Sequence, residues 1–174
     1  MKYILTGEIT KRLMFRLVDH SYFNEWLEFF NHPDSARFLG LQNITTPYEQ
    51  CREWFSRVEG RYQNDLGGMN ALIDRDTGRF IGQCGLLIQE IDGMKELEIG
   101  YSILPQFWNK GYATEAAIKC RDFAFQKNFT ASLISIINTE NIRSEKVAIK
   151  VGMLKTKSTE FRNMPVNIFR INKP

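Results

Sequence analysis

No apolar run in this chain approaches the roughly 20 residues that cross a bilayer. Its opening, MKYILTGEITKRL, lacks the apolar segment and small-residue cleavage site of a secretory signal. Cysteine is scarce: Cys51, Cys84 and Cys120 are far apart and odd in number. They suit reduced, buried thiols in a cytoplasmic protein better than a disulfide framework. Histidine is scarcer, with only His20 and His32, and neither an HExxH pattern nor a Cys/His ligand cluster occurs, so no metal is indicated. The glycine patterns of dinucleotide-binding and P-loop sites are also missing. Nor is there a strong charge of either sign. The 23 Lys and Arg against 20 Asp and Glu leave +3, spread along the chain, which predicts no nucleic-acid footprint.

What is present fits one compact domain over residues 1–174, with 43% hydrophobic residues to build its core. Residues 9–18 alternate as a strand, and apolar residues from Asp19 to Pro33 recur at helical spacing. Thr45, Thr46 and Pro47 open a second helix that is expected to run to about Asp65. Residues 69–75, 79–91 and 95–104 read as an antiparallel meander, with turns at Asp76–Gly78 and Asp92–Gly93. A helix from Asn109 to about Lys127 follows, then a buried strand over 132–137. A helix over 141–152, capped by Asn141 and ended by Gly152, precedes two last strands, 153–161 and 166–171. The order βα(α)βββαβαββ predicts an α/β domain with a mixed sheet and a parallel pair around the 109–127 helix.

One stretch resists a purely structural reading. In LPQFWNKGYATEA, Leu104–Ala116, a lysine and a glycine stand where a long helix starts. A cation there opposes the macrodipole, and glycine lowers helix propensity. Both make sense if the unpaired first N–H groups receive a phosphate or pyrophosphate. Alternatively, Asn109 caps the helix and Gly111 only relieves packing. The residues themselves leave both readings open.

The segment EIGYSILPQFWNKGYATEA, Glu98–Ala116, resembles the acetyl-coenzyme A motif of the GNAT superfamily of N-acetyltransferases. It looks most like the branch containing the ribosomal-protein-alanine N-acetyltransferases. TKRLMFRLV, TGRFIGQCGL and N-x-x-S-x-x-V-x-x-K-x-G-M (Asn141–Met153) agree with it in order and spacing. The resemblance implies a mostly antiparallel mixed central sheet with a V-shaped splay between the fourth and fifth strands and helices on both faces. It carries the pyrophosphate loop onto Trp108, Asn109, Lys110, Gly111, Tyr112 and Ala113. Trp108 departs from the family's Gln or Arg, which puts only side-chain help from that position in doubt. The pantetheine arm would lie along the splayed edge, where a backbone N–H of Ile103 or Leu104 would polarise the thioester carbonyl. Asn141 would contact that arm as well as cap its helix.

Amine acetylation needs a group to take the ammonium proton and one to protonate the leaving thiolate. Both histidines lie away from the motifs in sequence. Glu98, on the strand leading to the thioester site, is the candidate base, against the alternative of a solvent-facing glutamate paired with Lys95. Ser144, at the family's serine position, is the candidate acid, against a local helix-start role. Trp26, Phe29 and Phe30 read as core or cleft wall, with Trp26 or Tyr48 as conceivable substrate contacts. The resemblance implies an enzyme with acetyl-coenzyme A as co-substrate and no metal. Its acceptor would be a primary amine, either a peptide N-terminus or a small molecule, with no nucleic-acid or membrane partner. A non-catalytic acyl-coenzyme A-binding module is the rival reading, and monomer or homodimer stays open.

Overall fold

The computed structural model describes all 174 residues. Strand β1 (Leu13–Leu17) is shorter than the alternation predicts, with Ile9 reaching Met14 only as an isolated bridge. Asp19 caps a single 3-10 turn at His20–Tyr22, and α1 (Phe23–Asn31) begins after it. Thr46 accepts from the N–H of Glu49 and Pro47 occupies the first turn of α2 (Pro47–Gln63), the arrangement that a threonine cap and an early proline favour. This helix ends before the expected glycine pair, because Gly67 and Gly68 already belong to β2 (Gly67–Asp74).

Strands β3 (Phe80–Ile91) and β4 (Met94–Ile103) complete the meander. Asp92 and Gly93 both adopt positive φ at its tight turn, as a two-residue hairpin requires. Helix α3 (Tyr112–Gln126) crosses over to β5 (Ser132–Asn138), α4 (Ile142–Val151) follows, and β6 (Leu154–Phe161) and β7 (Met164–Asn172) form a closing hairpin. The seven strands stand in the order β1-β2-β3-β4-β5-β7-β6. Only β4 and β5 are parallel neighbours; every other pairing is antiparallel. This is a single α/β domain with a seven-stranded mixed sheet.

Two adjacent residues of β3 show how the helices are divided. Gln83 accepts from the Trp54 indole of α2 at 3.0 Å, and the Cys84 sulfur lies 3.5 Å from Cys120 of α3. Successive strand side chains point to opposite faces. Helix α2, with α1 packed on it, therefore covers one face, and α3, with α4 beside it, covers the other. The core fills both interfaces: Trp26, Phe15 and Phe55 are buried, and each buried phenylalanine side chain contributes roughly 2–3 kcal/mol.

One seam of the sheet is nearly unzipped. Strand β4 pairs with β3 from Met94 to Ile103, and β5 pairs with β7 along all its residues, but β4 and β5 share the single rung Glu98↔Ile134. Beyond that rung the Ser135 hydroxyl donates to the Ile99 carbonyl, and the two strands then diverge. The V-shaped splay lies between the fourth and fifth strands.

Candidate active site

The splay opens into a cavity of about 710 Å³ that reaches both faces of the sheet. Its mouth is built by the stretch between β4 and α3. Pro105–Phe107 form a 3-10 turn, Asn109 takes φ 60°, and Gly111 takes φ 80° as the residue preceding the helix. Asn109 does not cap α3; Gly111 holds the cap position, and no side chain bonds the first N–H groups. Those donors of Tyr112, Ala113 and Thr114 have no partner within the helix. A substituent on Gly111 would meet only Arg12, at 3.5 Å, so the left-handed backbone rather than crowding calls for glycine.

That conformation is held from β1. The Arg12 guanidinium donates to the Lys110 carbonyl at 2.9 Å and to Glu115 at 2.6 Å, and lies 4.2 Å from the Tyr112 ring centre. Glu115 also accepts from the Thr10 hydroxyl and the Arg12 N–H. Burial pushes the Glu115 carboxyl up, but the bonds from Thr10 and Arg12 outweigh it and hold the group below its ordinary range. Tyr112 donates to Asp74 at 3.0 Å, tying the same turn to the end of β2. Lys110 is exposed, its ammonium 5.4 Å from the Phe107 ring centre.

Trp108 links three elements. Its indole N–H donates to the Ile103 carbonyl at 2.6 Å, with the Arg143 guanidinium of α4 4.0 Å from the indole and the His32 ring 5.0 Å away. His32 thus reaches the motif from which its sequence position separates it. The two candidate thioester donors differ. Leu104 N–H donates to Ile81 of β3 at 3.0 Å and is not free. Backbone groups alternate along an antiparallel pair, so the Ile103 N–H points toward the splay.

Glu98 stands at the apex of the V. It accepts from the Gln89 amide at 2.6 Å and, more weakly, from the Ile136 N–H at 3.4 Å, where a closed ladder would place another rung. Lys95 is not its partner. Part of the residue faces the cavity, but its carboxylate lies deep, and desolvation raises its pKa; Gln89, Ile136, Arg61 and Arg162 oppose that rise without cancelling it. A carboxyl held this way is suited to accept a proton near neutral pH.

Asn141 caps α4 by accepting from Ser144 N–H at 3.1 Å. Ser144, half-buried, lines the same cavity, and its carbonyl accepts from the Tyr101 hydroxyl at 2.7 Å. Burial keeps Tyr101 protonated far above its ordinary range. Tyr101 pairs with Cys84 across β3 and so shares the α3 face, whereas Glu98 reaches Gln89, Arg61 of α2 and Arg162 of the β6–β7 hairpin on the other. A carboxyl and a hydroxyl thus flank the splay from opposite sides. Tyr101 is a residue that sequence reasoning missed; its alternation opposite Glu98 was the available signal.

Other expectations separate. Trp26 is fully buried and contacts Phe29 and Trp54, so it cannot touch substrate; Tyr48 packs on Phe23 outside the cavity. Phe29 and Trp54 line the cavity instead. All three cysteines are free and buried, and burial pushes the Cys51 thiol up to about 12 and Cys120 well up, which makes both poor nucleophiles. No helix is long and apolar enough to cross a membrane.

The model of the acetyltransferase (GNAT) domain matches residues 12–154. Among curated proteins, an uncharacterized protein of Bacillus subtilis, YkkB, is 35% identical over 80% of this chain and 80% of its own. Among solved structures, an acetyltransferase from Agrobacterium tumefaciens superposes with a TM-score of 0.77 at 23% identity, covering 95% of this chain and 93% of its own. A spermidine N-acetyltransferase from Vibrio cholerae, solved with coenzyme A and spermine, gives 0.72 at 16% identity over 94% and 97%. These two likenesses concern the fold.

Proposed function

The chain belongs to the GNAT acetyltransferase family, and from that premise we propose that residues 1–174 form one N-acetyltransferase domain that moves an acetyl group directly from acetyl-coenzyme A to a primary amine. The observation that carries the proposal is the one-rung β4–β5 seam, with donors converging at its mouth and a raised carboxyl at its apex. The coenzyme fits this groove by chemistry: its diphosphate matches the free N–H groups of α3 and the Lys110 charge, and its amide-bearing arm matches an open strand edge.

In this reading the loop from Trp108 to Ala113 holds the diphosphate through main-chain N–H groups. Trp108 and Asn141 flank the arm. The Ile103 N–H stabilises negative charge developing on the thioester oxygen, while the Leu104 N–H stays on β3 and Leu104 contributes packing alone. Glu98 takes the proton of the incoming ammonium, directly or through water, as the nitrogen–carbon bond forms and the carbon–sulfur bond breaks. Ser144 passes its hydroxyl proton to the departing thiolate and is reprotonated by the second proton that the acylated nitrogen sheds, with Tyr101 fixing the backbone that carries it. The acceptor enters from the α1/α2 face, where Phe29 and Trp54 wall the cavity.

Thiol release from acetyl-coenzyme A, followed across peptides with free N-termini, amino acids, polyamines and aminoglycosides, tests the proposal. Amine-dependent turnover that is lost in Glu98→Gln is the expected result. Tight coenzyme binding by calorimetry without turnover on any amine would instead assign a coenzyme-binding module.

A further inference from the structure

Resting on the acetyltransferase reading, we infer that the amine acceptor carries a carboxylate and that Arg61 and Arg162 receive it. Three guanidiniums line the α1/α2 side of the cavity: Arg57, Arg61 and Arg162. Arg57 is matched by Glu53, one helical turn away, at 2.8 Å. The other two have no ion pair of their own and share electrostatic reach of a single carboxylate, Glu98. Two cations thus face one anion. Once Glu98 holds a proton, both cations are uncompensated.

The local structure pins the Arg61 guanidinium and draws the Arg162 stem over the cavity rim. Arg61 leaves α2 and is pinned by one nitrogen, Nη2, which donates to the carbonyls of Leu66 and Ile88. Its Nε is buried and has no partner, a donor left waiting in a half-buried position. Arg162 stands at the tip of the β6–β7 hairpin with φ 51°, next to Asn163 at φ 59°. That two-residue turn favours Asn and Gly, so an arginine in the left-handed region there is a costly choice for geometry alone. Its side-chain stem packs toward Gly40 on the α1–α2 connection, and Met164 does the same. The hairpin tip therefore leans over the cavity instead of away from it. The Arg162 guanidinium lies 5.0 Å from the Phe161 ring centre and makes no hydrogen bond or ion pair. The residue keeps an exposed surface, yet the guanidinium is desolvated and repelled by Arg57.

An acceptor that is only an amine would bring another cation to this wall, and a polyamine several. An amine with a nearby carboxylate is neutral overall. It can place its nitrogen at Glu98 and its anion on the arginine forks, whose planar donors match a carboxylate. Leu39, Trp54 and Met164 line the same space with apolar surface. The charged end is therefore the part of the acceptor that the cations select.

The test is thiol-release kinetics on matched acceptors. One arm compares common amino acids with their amides and decarboxylated amines. A second compares short peptides whose second residue is Glu or Gln, and spermidine serves as the polycationic control. At least a roughly tenfold higher kcat/KM for the carboxylate member of a pair is expected, in the first arm for a free amino acid and in the second for an acidic protein N-terminus. Arg162→Gln should cut that advantage about tenfold, through KM, while calorimetric coenzyme affinity is retained. Equal or better turnover of neutral partners or spermidine would overturn the inference, as would a uniform effect of Arg162→Gln on all members. Should no amine release thiol, the transferase reading fails separately. Titration of the same compounds into coenzyme-loaded protein then decides: carboxylate binding weakened about tenfold by Arg162→Gln upholds the inference, and its absence or indifference to the variant overturns it.

Discussion

The indole N–H of Trp108 donates to the carbonyl of Ile103 at 2.6 Å, closing a five-residue link between the open edge of β4 and the turn that starts α3. The residue that departs from the family's Gln or Arg thus ties the loop to the strand it follows. Loop geometry then depends on Gly111 for its backbone and on Trp108 for its anchorage, two separable contributions.

Gly111→Val places a β-branched residue at φ 80°, which costs about 1–2 kcal/mol in backbone strain. Acetyl-coenzyme A affinity should fall by roughly tenfold or more. Trp108→Phe keeps the ring and loses one hydrogen bond, about 1 kcal/mol of stability, with affinity changed no more than about threefold. Calorimetry and thermal unfolding on the pair check this; matched affinities in Gly111→Val and wild type would reduce the glycine to a packing role.

Glu98→Gln keeps the bond from Gln89 at the expense of the weaker one from the Ile136 N–H, and removes the proposed base. Turnover should fall by about 10² or more, with coenzyme affinity unchanged. Because burial raises this carboxyl, wild-type kcat/KM should rise with pH through a value above the ordinary glutamate range. Stability runs the other way. A pKa raised in the folded state stabilises below the unfolded value, and that gain is lost as pH rises through the folded one. Glu98→Gln should therefore melt increasingly above wild type as pH climbs from about 4.5 toward neutrality. Identical pH–stability curves would refute the assignment of a desolvated carboxylate.

Arg12→Met leaves Glu115 with two of its three donors and frees the Lys110 carbonyl. The pair is partly exposed, so the expected stability loss is only about 1 kcal/mol. Coenzyme affinity should drop about threefold as the loop loosens. Glu115 has a depressed pKa, so its contribution is present above the unfolded value and disappears as pH falls through the folded one. The gap between wild type and Arg12→Met in urea titrations should consequently narrow below about pH 4.5. A constant gap down to acid pH would show that the Arg12–Glu115 bond contributes nothing.

Ser144→Ala and Tyr101→Phe separate chemistry from support. Loss of the serine hydroxyl should lower kcat roughly tenfold or more without altering stability. Loss of the tyrosine hydroxyl frees the Ser144 carbonyl and should cost about 1 kcal/mol, with a smaller change in kcat. Unaltered single-turnover transfer in Ser144→Ala would remove it as the proton donor and move attention to Tyr101.

Local physics was legible from the chain by itself. Thr46 and Asn141 cap their helices, Asp92–Gly93 turns its hairpin, and Gly152 ends α4 in the left-handed conformation. Each depends on neighbours within about four residues, where spacing and side-chain type are sufficient. The element order was readable for the same reason, together with the family resemblance. Boundaries were less so: β1 lost its first residues and α3 started at Tyr112 instead of Asn109, because tertiary contacts decide where a fraying end stops.

Only the tertiary structure decided which partners meet across the splay. Glu98 found Gln89 and Ile136 rather than Lys95, His32 arrived at Trp108 from another element, and Arg61 and Arg162 converged from α2 and a distant hairpin. Such pairs are set by strand register and by how helices lie on the sheet, and a chain's spacing does not specify distances between residues far apart in it. The sequence alone determined that a lysine and a glycine stand at the start of a helix. The fold determined the charge of the chamber beside it, because two guanidiniums brought near one carboxylate exist only once α2 and the β6–β7 hairpin have packed around the sheet.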